Sequence, residues 1–242
     1  MNQSKQITSW SFSRYSDYSL CPLKAKLKHL DKIAEPGNDA MVRGGMIHKA
    51  AELYIIGVTP RLPTELKAFG PLFKSLRSQY KKDPTVISVE QTWALTKTWT
   101  RTVWNDWDQC WLRIKLDCAR HIPAERLMVT YDWKTGRYRE NQQEEYLQQL
   151  ELYALAALVL HEAVDRVHPK LIYLDAGIVY PTDEADPLEY TRKDISRLKK
   201  AWIKRTKAMM KDKRFAPRPN DKCRWCYYRA DNKSNGGGQC KF

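Results

Sequence analysis

Three β-rich segments that alternate apolar and polar residues follow one another with short gaps: "TVISVEQTWAL" (85–95), "CWLRIKLDCAR" (110–120) and "RLMVTYDWK" (126–134). Period-two alternation marks strands with one face turned to a core, and three strands joined by short connections favour a meander. A helical pattern runs over roughly 141–164, and a fourth strand is expected at "KLIYLDAGIVY" (170–180). A helix between strands can carry a crossover, so the expected fold class is α/β with a central mixed sheet. Ahead of the strands, residues 9–33 read as a turn and then a helix opening near Pro22. A second helix over 41–57 is closed by Gly57, and a helix over 62–82 is interrupted at Gly70-Pro71. After them, Thr191-x-x-Asp194 forms a capping box for a last helix, with Ile195, Leu198, Trp202 and Met209 on its apolar stripe.

With 242 residues and 43% hydrophobic content, the chain suits one globular domain. Its expected parts are a helical front end (9–82), a core (about 85–180) and a C-terminal tail (191–242). No run reaches the roughly 18 apolar residues of a membrane span. The start, "MNQSKQITSWSFSRYSDYS", has no apolar signal core, and a cytoplasmic protein without membrane contact is expected. Net charge is +14 and unevenly spread: residues 192–242 hold 17 Lys/Arg against 4 Asp/Glu, the first 191 residues 25 against 24. A local basic excess suggests a polyanion such as nucleic acid, although a solvated basic helix would also account for it.

Asp132 and Lys134 share one face at the end of the third expected strand, just before Gly136. If the strands are neighbours, Asp117 on the second lies opposite Asp132. Two converging carboxylates repel unless a cation sits between them, and hard oxygen ligands suit Mg²⁺. Lys134 could then stabilise charge on a phosphate. The plain alternative is a surface ion pair. His48 and Glu52 are four residues apart on one helical face, as are Gln149 and Tyr153. Tyr146, Leu147 and Leu150 are expected to pack, and Glu90 is a further polar group for the same region.

These elements resemble the PD-(D/E)XK nucleases, and within them the RecB-like exonuclease branch. The resemblance rests on Gly44/Gly45 with His48, then Asp117, then "DWKTG" (132–136), then "QLELY" (149–153), and runs from about Ser9 to Cys240. Leu116 stands where the family name has Pro. The resemblance implies a restriction-endonuclease-like core and a metal-dependent DNA nuclease, an exonuclease active in recombination, repair or DNA end processing. It implies Asp117, Asp132 and Lys134 as catalytic, with Gln149 and Tyr153 positioning substrate. Mg²⁺ or Mn²⁺ would be held by His48, Asp117, Asp132 and the carbonyl of Trp133. A 5′-phosphate product on linear, possibly single-stranded DNA follows from it, and small free-standing versions occur in phages. The competing readings are a non-catalytic binding module and a subunit active only with a partner, such as a recombinase, helicase or single-strand-binding protein. No P-loop sequence is present, so helicase activity would come from elsewhere.

Six cysteines are present. Cys110 and Cys118 fall in expected strands and read as buried thiols, Cys118 facing away from Asp117. The arrangement of Cys21, Cys223, Cys226 and Cys240 resembles AddB-type and CRISPR-associated RecB-like nucleases, which implies a [4Fe–4S] cluster. Four thiolates would equally suit structural Zn²⁺. The gap from Cys226 to Cys240, through "NKSNGGG", is longer than in that pattern. Lys199, Lys200, Lys204, Arg205, Lys207 and Lys211 are expected on the polar face of the last helix, along a phosphate backbone. Trp225, Tyr227 and Tyr228 are candidates to stack on bases or to pack around the cluster.

Overall fold

The computed structural model describes residues 6–182 and 187–242. The chain forms two compact units, one of residues 1–37 with 201–242 and the other of residues 38–200.

The larger unit is built on a mixed six-stranded sheet. Strands β1 (Ile87–Leu95), β2 (Leu112–Ile122) and β3 (Leu127–Lys134) form an antiparallel meander. Helix α5 (Gln143–Leu160) then carries the chain to β4 (Arg166–Tyr173), which runs parallel to β3. The expected fourth strand is instead a hairpin: β4 turns through residues 174–177 into β5 (Ile178–Tyr180), with Gly177 at φ +65°. Only glycine takes that backbone region without steric cost. β4 also begins earlier than expected, and Pro169 lies inside it. Along its flank away from β3, β4 pairs with the short β6 (Tyr190–Thr191) at Arg166 and Val167, and with β5 from Leu171. Pro169 falls between these two partners, so its missing N–H deprives neither ladder of a donor.

β3 is buried on both faces, which alternate residue by residue. Leu127, Val129, Tyr131 and Trp133 join one core cluster with residues of α3 (Asp39–Ile55) and α4 (Gly70–Lys82), including Ile47, Ala51, Tyr54, Phe73 and Leu76. Cys118 belongs to this cluster as well, so its thiol is on the side away from Asp117, as expected. Trp133 stacks on Tyr131 at 5.7 Å and meets Phe73 at 4.8 Å. On the other side α5 contributes Tyr146 and Leu150 to a cluster with Leu171, Tyr173 and Tyr180. Leu147, expected to pack, is 39% exposed.

The smaller unit contains α1 (Phe12–Leu20), α2 (Pro22–His29) and most of α6 (Ile195–Lys211). Sequence periodicity did not signal α1. Ser11 caps it by accepting from the Arg14 N–H at 3.3 Å. Its face is fixed by tertiary contacts: Trp10 stacks on Trp202 at 5.3 Å, and Phe12 and Tyr15 meet the same indole edge-on. The Thr191–Asp194 capping box forms as expected, over a 3₁₀ turn (Arg192–Asp194) that leads into α6.

Candidate active site

β2 and β3 set the two acids side by side. Cys118 pairs with Tyr131 in the antiparallel register, which places Asp117 against Asp132 on the opposite face. Asp117 and Asp132 are 8% and 7% exposed. Burial, with the Asp132 charge beside it, raises the Asp117 pKa, although the His48 hydrogen bond and the Trp133 N–H pull the other way. Those partners divide its two oxygens: Oδ1 lies 3.0 Å from His48 Nδ1, and Oδ2 accepts the Trp133 N–H at 2.7 Å. Burial would lower the His48 pKa, but its bond to Asp117 and the charges of Asp117, Asp132 and Glu90 outweigh it and raise it.

Asp132 is held from α5. Its Oδ1 accepts from Tyr153 OH at 2.6 Å and from Gln149 Nε2 at 3.2 Å. Its buried Oδ2 is ion-paired with the Lys134 ammonium at 2.6 Å. Lys134 also donates to Gln149 Oε1 at 3.1 Å, and Gln149 Nε2 reaches Tyr153 OH at 2.7 Å. Burial, with Asp132 beside it, pushes the Tyr153 phenol well above its ordinary range, so it stays a neutral donor. The i, i+4 pair on α5 and the i, i+2 pair on β3 thus interlock, and Asp117, Asp132, Lys134, His48, Gln149 and Tyr153 form one constellation.

Glu90 adds to it. One ligand atom each from His48, Glu90 and Asp117 lies within 4.8 Å of the others, the one such group among the described residues. Glu90 occupies the β1 position opposite Asp117, between the pairs Val89–Cys118 and Gln91–Leu116. It takes a left-handed backbone, φ 51°, and pairs with Lys115 at 2.5 Å. Sequence alone cannot rank this residue, because its place depends on the β1–β2 register. Trp133 contributes its N–H to Asp117 and its ring to the core. A cleft of about 360 Å³ opens on the group, lined by Gly44, Gly45, His48, Lys49, Glu52, Glu90 and Lys115. Glu52 pairs with Lys49 at 2.6 Å on its rim.

The family model of the PD-(D/E)XK nuclease superfamily matches residues 9–230. The chain belongs to the PD-(D/E)XK nuclease superfamily. No curated protein matches the chain. Members of this superfamily are in general metal-dependent nucleases that use Mg²⁺ or Mn²⁺, and DNA is their substrate. The site suits such an ion: Asp117 is a buried carboxyl whose ionised form is disfavoured, and Glu90 and His48 lie beside it. Among the described residues no helix is long and apolar enough to cross a membrane.

The cysteines, the aromatic residues of the tail and the cations of α6 from Lys204 onward lie in the smaller unit, while Lys199 and Lys200 belong to the larger one. Cys21, Cys223, Cys226 and Cys240 are all free thiols of the smaller unit. Cys21 Sγ accepts the Arg218 N–H at 3.4 Å and Cys223 Sγ the Asn220 N–H at 3.3 Å. The Cys226 thiol is pushed up by burial, with the nearby charges of Cys240 and Cys21 adding to the shift. Despite the long gap, a bridge to Arg229 and the Cys240 N–H bond to Tyr228 O (2.8 Å) return Cys240 to its neighbours. Tyr228 is 1% exposed, with its OH donating to Ile33 O, so it cannot stack on a base. Trp225 is 67% exposed, with the Arg224 guanidinium 4.1 Å from its ring centre. On α6, Lys200, Lys204, Lys207 and Lys211 are exposed. Lys199 instead lies over the Trp99 ring and Arg205 over that of Trp202.

Proposed function

We propose that this nuclease is an exonuclease of RecB-like type that degrades linear DNA in recombination, repair or end processing, and that its smaller unit carries a [4Fe–4S] cluster. The observation that carries the catalytic reading is the interlocked Asp117, Asp132 and Lys134 with His48, Gln149 and Tyr153 around them. His48, Asp117 and Glu90 would hold Mg²⁺ or Mn²⁺, with Asp132 and the Trp133 carbonyl as the further ligands expected from the resemblance. When bound, the ion supplies Lewis-acid polarisation of the phosphate and a lowered pKa for the attacking water.

The remaining work belongs to the chain. The Lys134 ammonium offsets charge that builds on the phosphoryl oxygens as the bond to the leaving 3′ oxygen breaks, which leaves a 5′-phosphate. Gln149 accepts from Lys134 and donates to Asp132, so one side chain aligns both. Tyr153, held neutral, keeps the Asp132 carboxylate from rotating. His48 orients Asp117 from α3 while the Trp133 N–H orients it from β3.

One feature supports a group bound by thiolates: backbone N–H groups donate to two of the four sulfurs, which favours their ionised form. Such a cluster would tie the chain's first 37 residues to its last 42 within the smaller unit.

The test uses protein purified without oxygen, with iron, sulfide and zinc measured on the same sample. End-labelled linear DNA and closed circular DNA are incubated with Mg²⁺ or Mn²⁺. Loss of linear DNA alone, with near four irons per chain, is expected. Cleavage of closed circles would replace the exonuclease with an endonuclease, and one zinc per chain would replace the cluster.

A further inference from the structure

The connection from β1 to β2, residues 96–111, is far longer than the one from β2 to β3, residues 123–126. Connections of that length in a compact domain usually carry function. Its tryptophans divide into two kinds. Trp99 and Trp111 are buried and meet edge-on at 5.3 Å, which anchors the loop. Trp107, at 76%, is the most exposed large apolar side chain among the described residues. The turn that presents it is fixed from within. The Asp106 carboxylate accepts from Thr102 Oγ1 at 3.1 Å and from the N–H groups of Asp108 and Gln109 at 3.2 and 2.9 Å. The Asp106 carbonyl accepts the Cys110 N–H at 2.9 Å. An indole held in place yet left in water forgoes the gain of burying its large apolar surface.

Arg113 joins this ring to the site. Its Nε donates to the Trp104 carbonyl at 2.9 Å, and its guanidinium lies over the Trp107 ring, 4.8 Å from the centre. The cation takes one face of the indole, and the exposure of Trp107 leaves the other open. Arg113, Lys115 and Asp117 follow one another at every second residue of β2 and share one face. Lys115 lines the cleft and pairs with Glu90. Arg113 is the next cation outward, about 13 Å along the strand from Asp117. A stacked strand of DNA advances about 3.4 Å per nucleotide and an extended one more, so this span covers about two to four nucleotides. Asp106 is taken up by the loop and Asp108 adjoins the ring, so the loop offers a stacking surface and no phosphate site. Phosphates fall to Lys115 and Arg113. Exposed rings beside cations suit the π-face of any base, and continuity with the cleft favours a nucleobase over a protein side chain.

We propose that Trp107 is a base-stacking subsite outside the cleft: the bound strand runs from the His48–Glu90–Asp117 group along Lys115 and Arg113, and a nucleobase about two to four nucleotides from the scissile phosphate stacks on the open face of the Trp107 ring. The inference rests on the nuclease reading above. Trp107 touches no reacting atom; it sets the register in which the strand crosses the site.

The test uses Lys134→Ala, which should bind without cleaving, beside double variants that add Trp107→Ala or Trp107→Phe. Anisotropy in Mn²⁺ measures binding of labelled oligonucleotides in which one abasic residue is moved along the strand a position at a time. An abasic residue keeps the backbone and removes only the base. The parent should lose about tenfold in affinity when one particular base near the bound end is missing. Trp107→Ala should weaken binding of the intact strand by about tenfold and erase the dependence on that position, while Trp107→Phe keeps both within about threefold. Melting temperatures should not change, because the ring is exposed. A Trp107→Ala variant that binds the intact strand as the parent does, or keeps the parent's abasic profile, would overturn the inference. It would leave the nuclease site standing and assign Trp107 to a protein partner. A parent that binds no DNA in Mn²⁺ would overturn the nuclease reading and this inference with it.

Discussion

Asp132 divides its two oxygens between different tasks, and the consequences are separable by mutation. Oδ1 is fixed by Tyr153 and Gln149, while Oδ2 is ion-paired with Lys134. Removing the ammonium takes away transition-state charge stabilisation, so Lys134→Ala should lower kcat by about 10²- to 10³-fold, while Tyr153 and Gln149 still hold Asp132 and Mn²⁺ affinity is kept. Tyr153 acts through Asp132 and is a positioning residue. Tyr153→Phe should cost about tenfold in kcat with little change in KM, whereas a general packing defect would move the melting temperature instead. Glu90→Gln keeps the shape and removes a candidate ligand charge. Calorimetry should show Mn²⁺ affinity reduced by about 10- to 100-fold, and an unchanged affinity would remove Glu90 from the ligand set.

At the scale of elements, the half-buried network between α1 and α2 gives a pH prediction. Asp17 meets His29 at 2.9 Å, Lys28 at 3.1 Å and Lys24 at 3.3 Å. Burial pushes its pKa up, but the His29 bond and the two ammonium groups prevail and hold it below the ordinary carboxylate range. A depressed carboxylate stabilises the fold above its unfolded pKa of about 3.9, and that contribution disappears as pH falls through the folded value. Asp17→Asn should therefore cost about 1.5–3 kcal/mol at pH 7, with the gap to wild type closing in acid denaturation below about pH 4. The same elements show what sequence could and could not reveal. β1, β2, β3 and α5 were legible because their alternation and apolar runs are local, and with them the i, i+2 and i, i+4 pairs of the site. α1 was not, because its face is set by Trp202, almost 200 residues away. The β4–β5 hairpin was hidden by apolar residues that continue on both sides of Asp175–Gly177. Glu90 was visible as an acid, but its place beside Asp117 depends on strand register.

For the molecule as a whole, charge and metal are the levers. The basic excess lies in residues 192–242, and Lys204 and Lys207 are exposed on α6. If α6 tracks a phosphate backbone, Lys204→Ala with Lys207→Ala should weaken DNA binding equally for all sequences. The slope of log affinity against log salt should become shallower by about 1.5. A slope equal to that of wild type would leave α6 a solvated basic helix. Metal should also act on stability: buried Asp117 disfavours its own charge, so Mn²⁺ at 100 times its Kd should add about 2.7 kcal/mol and raise Tm. The central claim is that Asp117, Asp132 and Lys134 form a metal-dependent nuclease centre. Its most direct measurement is the rate of cleavage of an end-labelled linear DNA with Mn²⁺ or with chelator, for wild type beside Lys134→Ala at matched melting temperature and metal content. Cleavage that needs the ion and falls at least a hundredfold in the variant is the predicted result. Cleavage that survives the loss of Lys134 undiminished, or metal-loaded wild type that leaves every DNA intact, would contradict it.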